Sequence, residues 1–343
     1  MSDEGFLLSS DNAHEYLASR GLAGSRDNLR IRELSGGVSN IVLLVEVANG
    51  RSCRWVAKQS LGKLRVRDDW RSDRERVFRE AEAIKMLHPL LADSVPDVVY
   101  VDYENYLFLM TAAPTGSTVW KDSLLLGRVS REVAREAGRL LARMINAAPA
   151  GGAVQRRFQD RTVFDQLRID PYYRTTATRN LEVSSELREL IANSWGIQTA
   201  LVHGDYSPKN MLVRGDHITL IDFEVIHWGD PAFDSGFLLN HLLLKAFHQP
   251  RFGQLYIGAA REFWNALAAG LGPAGGSDFE RMTVRHLGAL MLARIDGKSP
   301  VEYIQDETTK EKARQLAKRI LLERPERVEE AFGLVLAEMG PGG

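Results

Sequence analysis

Two kinds of residue periodicity divide this chain unevenly, and that division limits the folds open to it. Up to residue 112, short runs at 29–31, 41–47, 53–59, 97–101 and 106–110 read as strands, the second of them rich in β-branched residues, with Asn49-Gly50 as a hairpin turn. Helical spacing occurs there only at residues 13–19, between the cap candidates Asp11 and Asn12 and a closing Gly21, and at 73–87. In the second of these Val77, Ala81, Ile84 and Leu87 share one face. Past Ala113-Pro114 the pattern is mainly helical. Ser130 stands as a cap before Val133, Ala137, Leu140, Leu141 and Met144, and the breaker-rich stretch 270–277 separates two later helical blocks. Final helices are predicted at 308–322 and 325–339, with Pro325 in a first-turn position. One island of strand character, residues 200–223, interrupts them. The pattern predicts an α+β chain with a small β-rich lobe, residues 1–112, and a larger helical lobe, residues 113–343.

Composition removes several function classes. Lys+Arg is 44 against Asp+Glu 45, a balance unlike the basic excess of a nucleic-acid binder. Residues 51–85 do hold 11 basic side chains against 6 acidic ones, but these alternate along a helix and its lead-in loop, as on a solvated face. Cys53 is the sole cysteine, which excludes an intramolecular disulfide and a cysteine-rich zinc site. No apolar run reaches the roughly 18 residues of a membrane span, and Met1-Ser2-Asp3-Glu4 is acidic where a signal peptide is basic. A cytoplasmic protein without membrane contact is expected.

The strand island carries the densest set of reactive side chains: His203-Gly204-Asp205, Lys209-Asn210, then Ile221-Asp222-Phe223-Glu224. Phosphoryl transfer needs a carboxylate to accept a hydroxyl proton, and an amide and a carboxylate to hold Mg²⁺. Asp205 suits the first role; Asn210, Asp222 and Glu224 offer the hard oxygen ligands that Mg²⁺ prefers. Upstream, the turn Gly36-Gly37-Val38-Ser39-Asn40 is suited to laying backbone N–H groups over phosphates. Lys58, mid-strand among apolar residues, needs a partner. Glu80 shares the inward face of Ile84, Leu87 and Leu91, whereas Glu82 lies toward the other side, so Glu80 is the expected partner.

In this order, the glycine turn, Trp55-Val56-Ala57-Lys58, Glu80, His203-Gly204-Asp205 to Asn210 and Ile221-Asp222-Phe223-Glu224 resemble the aminoglycoside phosphotransferase and choline kinase group. The resemblance spans about residues 30–335 and implies the bilobed protein-kinase-like fold. It implies ATP and Mg²⁺ as cofactors, Asp205 as base, and Asn210, Asp222 and Glu224 on the metal. Gly36, Gly37, Ser39, Asn40 and Lys58 would lie on the phosphates, Glu80 would orient the lysine, and Met110 and Ala112 would flank the adenine. His203 would hold the catalytic loop by hydrogen bonds. Asp234 is either a simple N-cap or, as the resemblance suggests, a brace for that loop.

A narrower likeness is to the methylthioribose kinases. Lys58-Gln59, Lys63-Leu64-Arg65-Val66, Trp70, Asp170-Pro171-Tyr172-Tyr173-Arg174 and the ending from Arg294-Ile295 are similar to theirs. Those kinases carry Asp-Pro-Glu where this chain has Asp222-Phe223-Glu224, and paired arginines where it has Ala293-Arg294. The expectation is a kinase that phosphorylates a hydroxyl of a small, sugar-like metabolite, with Trp70 as a lid over the substrate. Arg294 is read either as a transition-state guanidinium or as a helix C-terminal arginine. The likeness also points to a homodimer. Alternatives are an aminoglycoside or amino-alcohol kinase, a protein acceptor, and a catalytically silent nucleotide-binding regulator.

Overall fold

The computed structural model describes residues 6–24, 27–34, 40–47, 53–63 and 73–339. The turn at 35–39, Asn49-Gly50 and Trp70 lie outside the described residues. The chain divides into two compact units, Met1–Thr115 and Gly116–Gly343.

The first unit is built on an antiparallel sheet of β1 (Leu29–Glu33), β2 (Asn40–Val47), β3 (Cys53–Ser60), β4 (Val98–Asp102) and β5 (Leu107–Thr111), in the order β1-β2-β3-β5-β4. Strand pairing puts Leu43, Ala57 and Leu109 in line across three strands, and beside them Val42, Lys58 and Phe108. Side chains alternate between faces along a strand, so these two rows face opposite ways. The Leu43 row joins Ile41, Val45 and Leu107 in a core closed by α1 (Ala13–Ser19), through Ala13, Tyr16 and Leu17. Helix α1 ends where expected, with Gly21 at φ +69°. Asn12 does not cap it forward; its Oδ1 accepts the Ser9 N–H at 2.8 Å. Helix α2 (Arg76–Leu91) packs against β3, β4 and β5 and buries Val77, Glu80, Ala81, Ile84 and Leu87. It begins three residues later than the spacing predicts and runs through Pro89, because burial of Leu91 rewards one further turn.

The second unit is mostly helical: α3 (Trp120–Leu125), α4 (Arg131–Ile145), α5 (Ala153–Phe158), α6 (Thr162–Phe164), α7 (Thr175–Arg179), α8 (Ser184–Gly196), α9 (Ala232–His248), α10 (Gly253–Leu271), α11 (Ser277–Asp296), α12 (Glu307–Glu323) and α13 (Val328–Met339). Ser130 caps α4 as expected, accepting the Val133 N–H. Helix α4 lies so close to α10 that a Cβ on Gly138 would sit 2.3 Å from the Phe263 carbonyl oxygen. Helix α9 is buried on every side from Ala232 to Phe247 and packs against α11. Pro325 is not a first-turn residue. Arg324 ends α12 in the left-handed conformation, φ +52°, so Pro325 falls in the link and α13 starts at Val328.

The predicted strand island yields two small antiparallel sheets. β7 (Ala200–Val202) pairs with β10 (His227–Gly229), and β6 (Thr118–Val119), β8 (Met211–Arg214) and β9 (His217–Leu220) form the other. Among the described residues no helix is long and apolar enough to cross a membrane. The fold is α+β.

Candidate active site

The segment after β7 is fixed before any ligand is considered. Gly204 takes φ +76°, and a Cβ there would meet Val225 at 2.8 Å, so this position favours glycine twice over. Both oxygens of Asp234, at the start of α9, accept backbone N–H groups: His203 at 2.6 Å and Gly204 at 2.9 Å. Asp234 therefore braces the loop and is not an N-cap. Burial pushes its carboxyl up to about 7, against the two amides, which lower it. His203 accepts the Asp205 N–H on Nδ1 at 3.2 Å, which leaves the ring proton on Nε2, 3.2 Å from the Ile221 carbonyl. Burial pushes the imidazole down to about 4, so it stays neutral and structural. Tyr206 Oη, donating to the Ala137 carbonyl at 2.6 Å, ties the loop to α4.

Asp205 stands on this braced loop with 2% of its surface exposed. Arg168 Nη2 lies 2.9 Å and Lys209 Nζ 2.8 Å from Asp205 Oδ2. Burial raises the carboxyl, but the Arg168 guanidinium and the Lys209 ammonium outweigh it and hold Asp205 below the ordinary carboxylate range. Asp205 is thus an anion that needs no proton removed before it can accept one.

The hairpin that follows assembles the remaining groups. β8 and β9 pair Met211 with Leu220, which brings residue 210 opposite residue 221 at the open end. The Ile221 N–H donates to the Asn210 carbonyl at 3.0 Å, so Asn210 and Asp222 become spatial neighbours although Asn210 and Ile221 are eleven positions apart in sequence. Asn210 Nδ2 donates to the Asp205 carbonyl at 2.9 Å, which sets the amide orientation and makes Oδ1 the oxygen available to a cation. Asp222 is held at φ +72°, a left-handed conformation that costs a non-glycine residue about 1–3 kcal/mol. The buried Phe223 ring lies 4.7 Å from the His203 ring. The charges of Glu224 and Asp222 both reach Arg168. Among the described residues no three His, Cys, Asp or Glu side chains form a metal-binding group by themselves. The residues in this hairpin offer one amide and carboxylate oxygens, all hard donors of the kind that Mg²⁺ prefers.

In the first unit, Lys58 Nζ lies 2.6 Å from Glu80 Oε2, with Lys58 5% and Glu80 0% exposed. Glu80 is the partner that the helix face predicted. Met110 is buried in β5, and the Ala112 N–H donates to the Arg54 carbonyl at 2.9 Å. Asn40 opens β2, nearly buried, opposite Ser60. Gly36, Gly37, Ser39 and Trp70 lie outside the described residues.

Arg294, in the last turn of α11, donates through Nη1 to the carbonyl and hydroxyl of Ser299 and to Tyr172 Oη at 3.3 Å. It therefore does not bond the last carbonyls of its own helix. No motif or spacing in the sequence singles out Arg168. It lies in a π-helical segment, Asp165–Arg174, whose ladder is interrupted by Pro171. There Arg168 is 7% exposed, donates to the Gly204 carbonyl at 2.6 Å and lies over the Tyr172 ring at 5.7 Å. A lone arginine between Leu167 and Ile169 was the available signal.

The profile of the phosphotransferase enzyme family, APH, matches residues 30–281. Over 275 residues the chain is 27% identical to methylthioribose kinase 2 of Oryza sativa subsp. japonica, covering 72% of this chain and 64% of that protein. This chain thus spans less than two thirds of that relative's length. Among solved structures, it is similar to a choline/ethanolamine kinase family protein from Mesorhizobium loti, 21% identical, over 96% of this chain and 99% of that one, with a TM-score of 0.52. Amicoumacin kinase hAmiN, in complex with AMP-PNP, Ca²⁺ and Ami, is 14% identical over 93% of this chain and 97% of that one, with a TM-score of 0.55. Both likenesses bear on the fold, which is protein-kinase-like.

Proposed function

The chain belongs to the phosphotransferase enzyme family, APH, and on that premise we propose that it is an ATP- and Mg²⁺-dependent kinase acting on a hydroxyl of a small, sugar-like metabolite. The observation that carries this reading is the Asp205 loop: an ionised, buried carboxylate on a backbone braced by Asp234, with Asn210 and Asp222 brought together by the next hairpin. In this reading the acceptor oxygen bonds to the γ-phosphorus as the bond from that phosphorus to the bridging oxygen of ADP breaks, and the hydroxyl proton passes to Asp205. Asn210, Asp222 and Glu224 would hold Mg²⁺, which neutralises charge on the phosphates when bound. Lys58, oriented by Glu80, meets the α- and β-phosphates. Arg168 and Lys209 keep the base ionised and aimed, and so are positioning residues.

The sugar-like acceptor rests on the likeness to methylthioribose kinases. Phe223 and Ala293 stand at positions where those kinases carry proline and arginine, which argues for an acceptor other than methylthioribose itself. An amino sugar or amino alcohol calls for a pocket of carboxylates, whereas the charged side chains touching Asp205 are cations. A silent regulator would have no need of an intact Asp205, Asn210 and Asp222 set. Asp205→Ala tests the assignment: turnover should fall by about 10²- to 10⁴-fold while AMP-PNP affinity stays within a few-fold. An equal loss of nucleotide binding would assign Asp205 to the fold and not to the transfer.

A further inference from the structure

A second group of cations extends from the Asp205 region along α9, and it outnumbers the acids it touches. Lys245, 1% exposed, donates one hydrogen bond, to the His241 carbonyl at 3.2 Å, and its ammonium lies 4.9 Å from the centre of the Tyr303 ring. Arg294 keeps its Nε buried without a hydrogen-bond partner, and Tyr303 Oη is in the same position. Among the described residues no carboxylate makes an ion pair with Lys245 or Arg294. Glu302, the acid whose field reaches both, is bonded to a third cation, Lys121. Leaving an ammonium and two further donors buried and unmatched is costly unless an acceptor completes them.

This cluster is continuous with Asp205. Arg168 spans from the Asp205 carboxylate to the Tyr172 and Phe237 rings, at 5.7 and 5.9 Å. Arg294 reaches the same Tyr172 ring, at 5.7 Å, and the His241 ring meets Phe237 edge-on at 5.1 Å. Lys245, Arg294, Lys209 and Lys121 all bear on His241. The unmatched donors therefore belong to the surroundings of the proposed base.

We propose that the acceptor is itself an anion, a polyhydroxy compound carrying a carboxylate or a phosphate, whose charged group is bound by Lys245, Arg294 and Tyr303 while Asp205 engages its hydroxyl. This rests on the kinase reading and narrows it. A neutral sugar would leave the donors unmatched, and a cationic amine would be repelled.

Calorimetric titration of the whole chain, free of nucleotide, tests this with four probes: D-gluconate, D-ribose 5-phosphate, D-ribose and ethanolamine, with inorganic phosphate alongside. The expected result is binding of gluconate or ribose 5-phosphate at least ~10-fold tighter than ribose or ethanolamine, the better of the two naming the anionic group. Lys245→Met should weaken that binding by ~10- to 100-fold while the thermal midpoint holds or rises, since a buried unpaired charge is removed. Tyr303→Phe, which keeps the ring, should weaken it several-fold and serves if Lys245→Met does not fold. Preference for ribose or ethanolamine, no binding of either anionic probe, or phosphate alone binding as well as ribose 5-phosphate would overturn the proposal. A separate titration with AMP-PNP and Mg²⁺ reports on the kinase reading: no nucleotide binding there would sink that reading, whatever the anions do.

Discussion

At Asp205 burial favours the neutral acid, and two cations in contact with it favour the anion and win. The reverse holds forty residues on. At Lys245 burial, then the charges of Lys121 on α3 and Arg294 on α11, push the ammonium down to about 7, and Glu302 opposes them. His241, one turn earlier on α9, His248, at the end of that helix, and Tyr303, in the link to α12, are the other titratable groups facing it. In the unfolded chain this lysine keeps its proton to about 10.4. Between pH 7 and 10 the unfolded state therefore binds more protons than the folded one, and stability contributed at this residue rises with pH. Lys245→Met removes that slope. Its thermal midpoint should exceed that of the wild type at pH 6, and the gap should close toward pH 10. Melting curves of both proteins across that range check the sign, and a gap that stays constant with pH would mean that no buried charge is titrating.

Among the elements, the pairing of β3 with α2 was legible because Glu80 recurs with Ile84, Leu87 and Leu91 at helical spacing, and only the buried face of α2 can reach Lys58. Lys58→Ala should lower kcat/KM by about 10²-fold, and adding Glu80→Ala should cost little more, since each acts through the other. Rates of the two single variants and the double variant measure this; additive losses would separate the two residues. The β8–β9 hairpin was legible for a similar reason, its turn residues at Arg214-Gly215-Asp216 setting the register that joins Asn210 to Ile221. Arg168 was not. Its partner lies 37 positions along the chain, and π-helical winding removes the 3.6-residue spacing by which a helix face is read. Lys245 was hidden differently: it closes a helix so apolar that nothing in the sequence separates a buried ammonium from a solvated one. Pro325 misled because Arg324 takes a conformation that sequence does not announce.

On the scale of the whole molecule, the α+β division and the family followed from patterns spread along the chain: strands first, helices after, and one polar hairpin carrying the acids. Charge was the property least visible at this scale. A chain with 44 basic and 45 acidic residues is balanced overall, yet around Asp205 and α9 the basic side chains outnumber the acids they touch. Local imbalance of this kind comes only from folding, which brings α3, α9, α11 and the π-helical segment together within one unit. The proposed function is transfer of the γ-phosphoryl group of ATP to a hydroxyl of a small molecule. Phosphorus NMR of the chain with Mg²⁺, ATP and the acceptor probes tests it directly. The γ-phosphate resonance should be replaced by a phosphomonoester in step with ADP, and Asp205→Ala should stop the exchange. ADP formed with inorganic phosphate and no ester, or an ester formed equally well by Asp205→Ala, would contradict it.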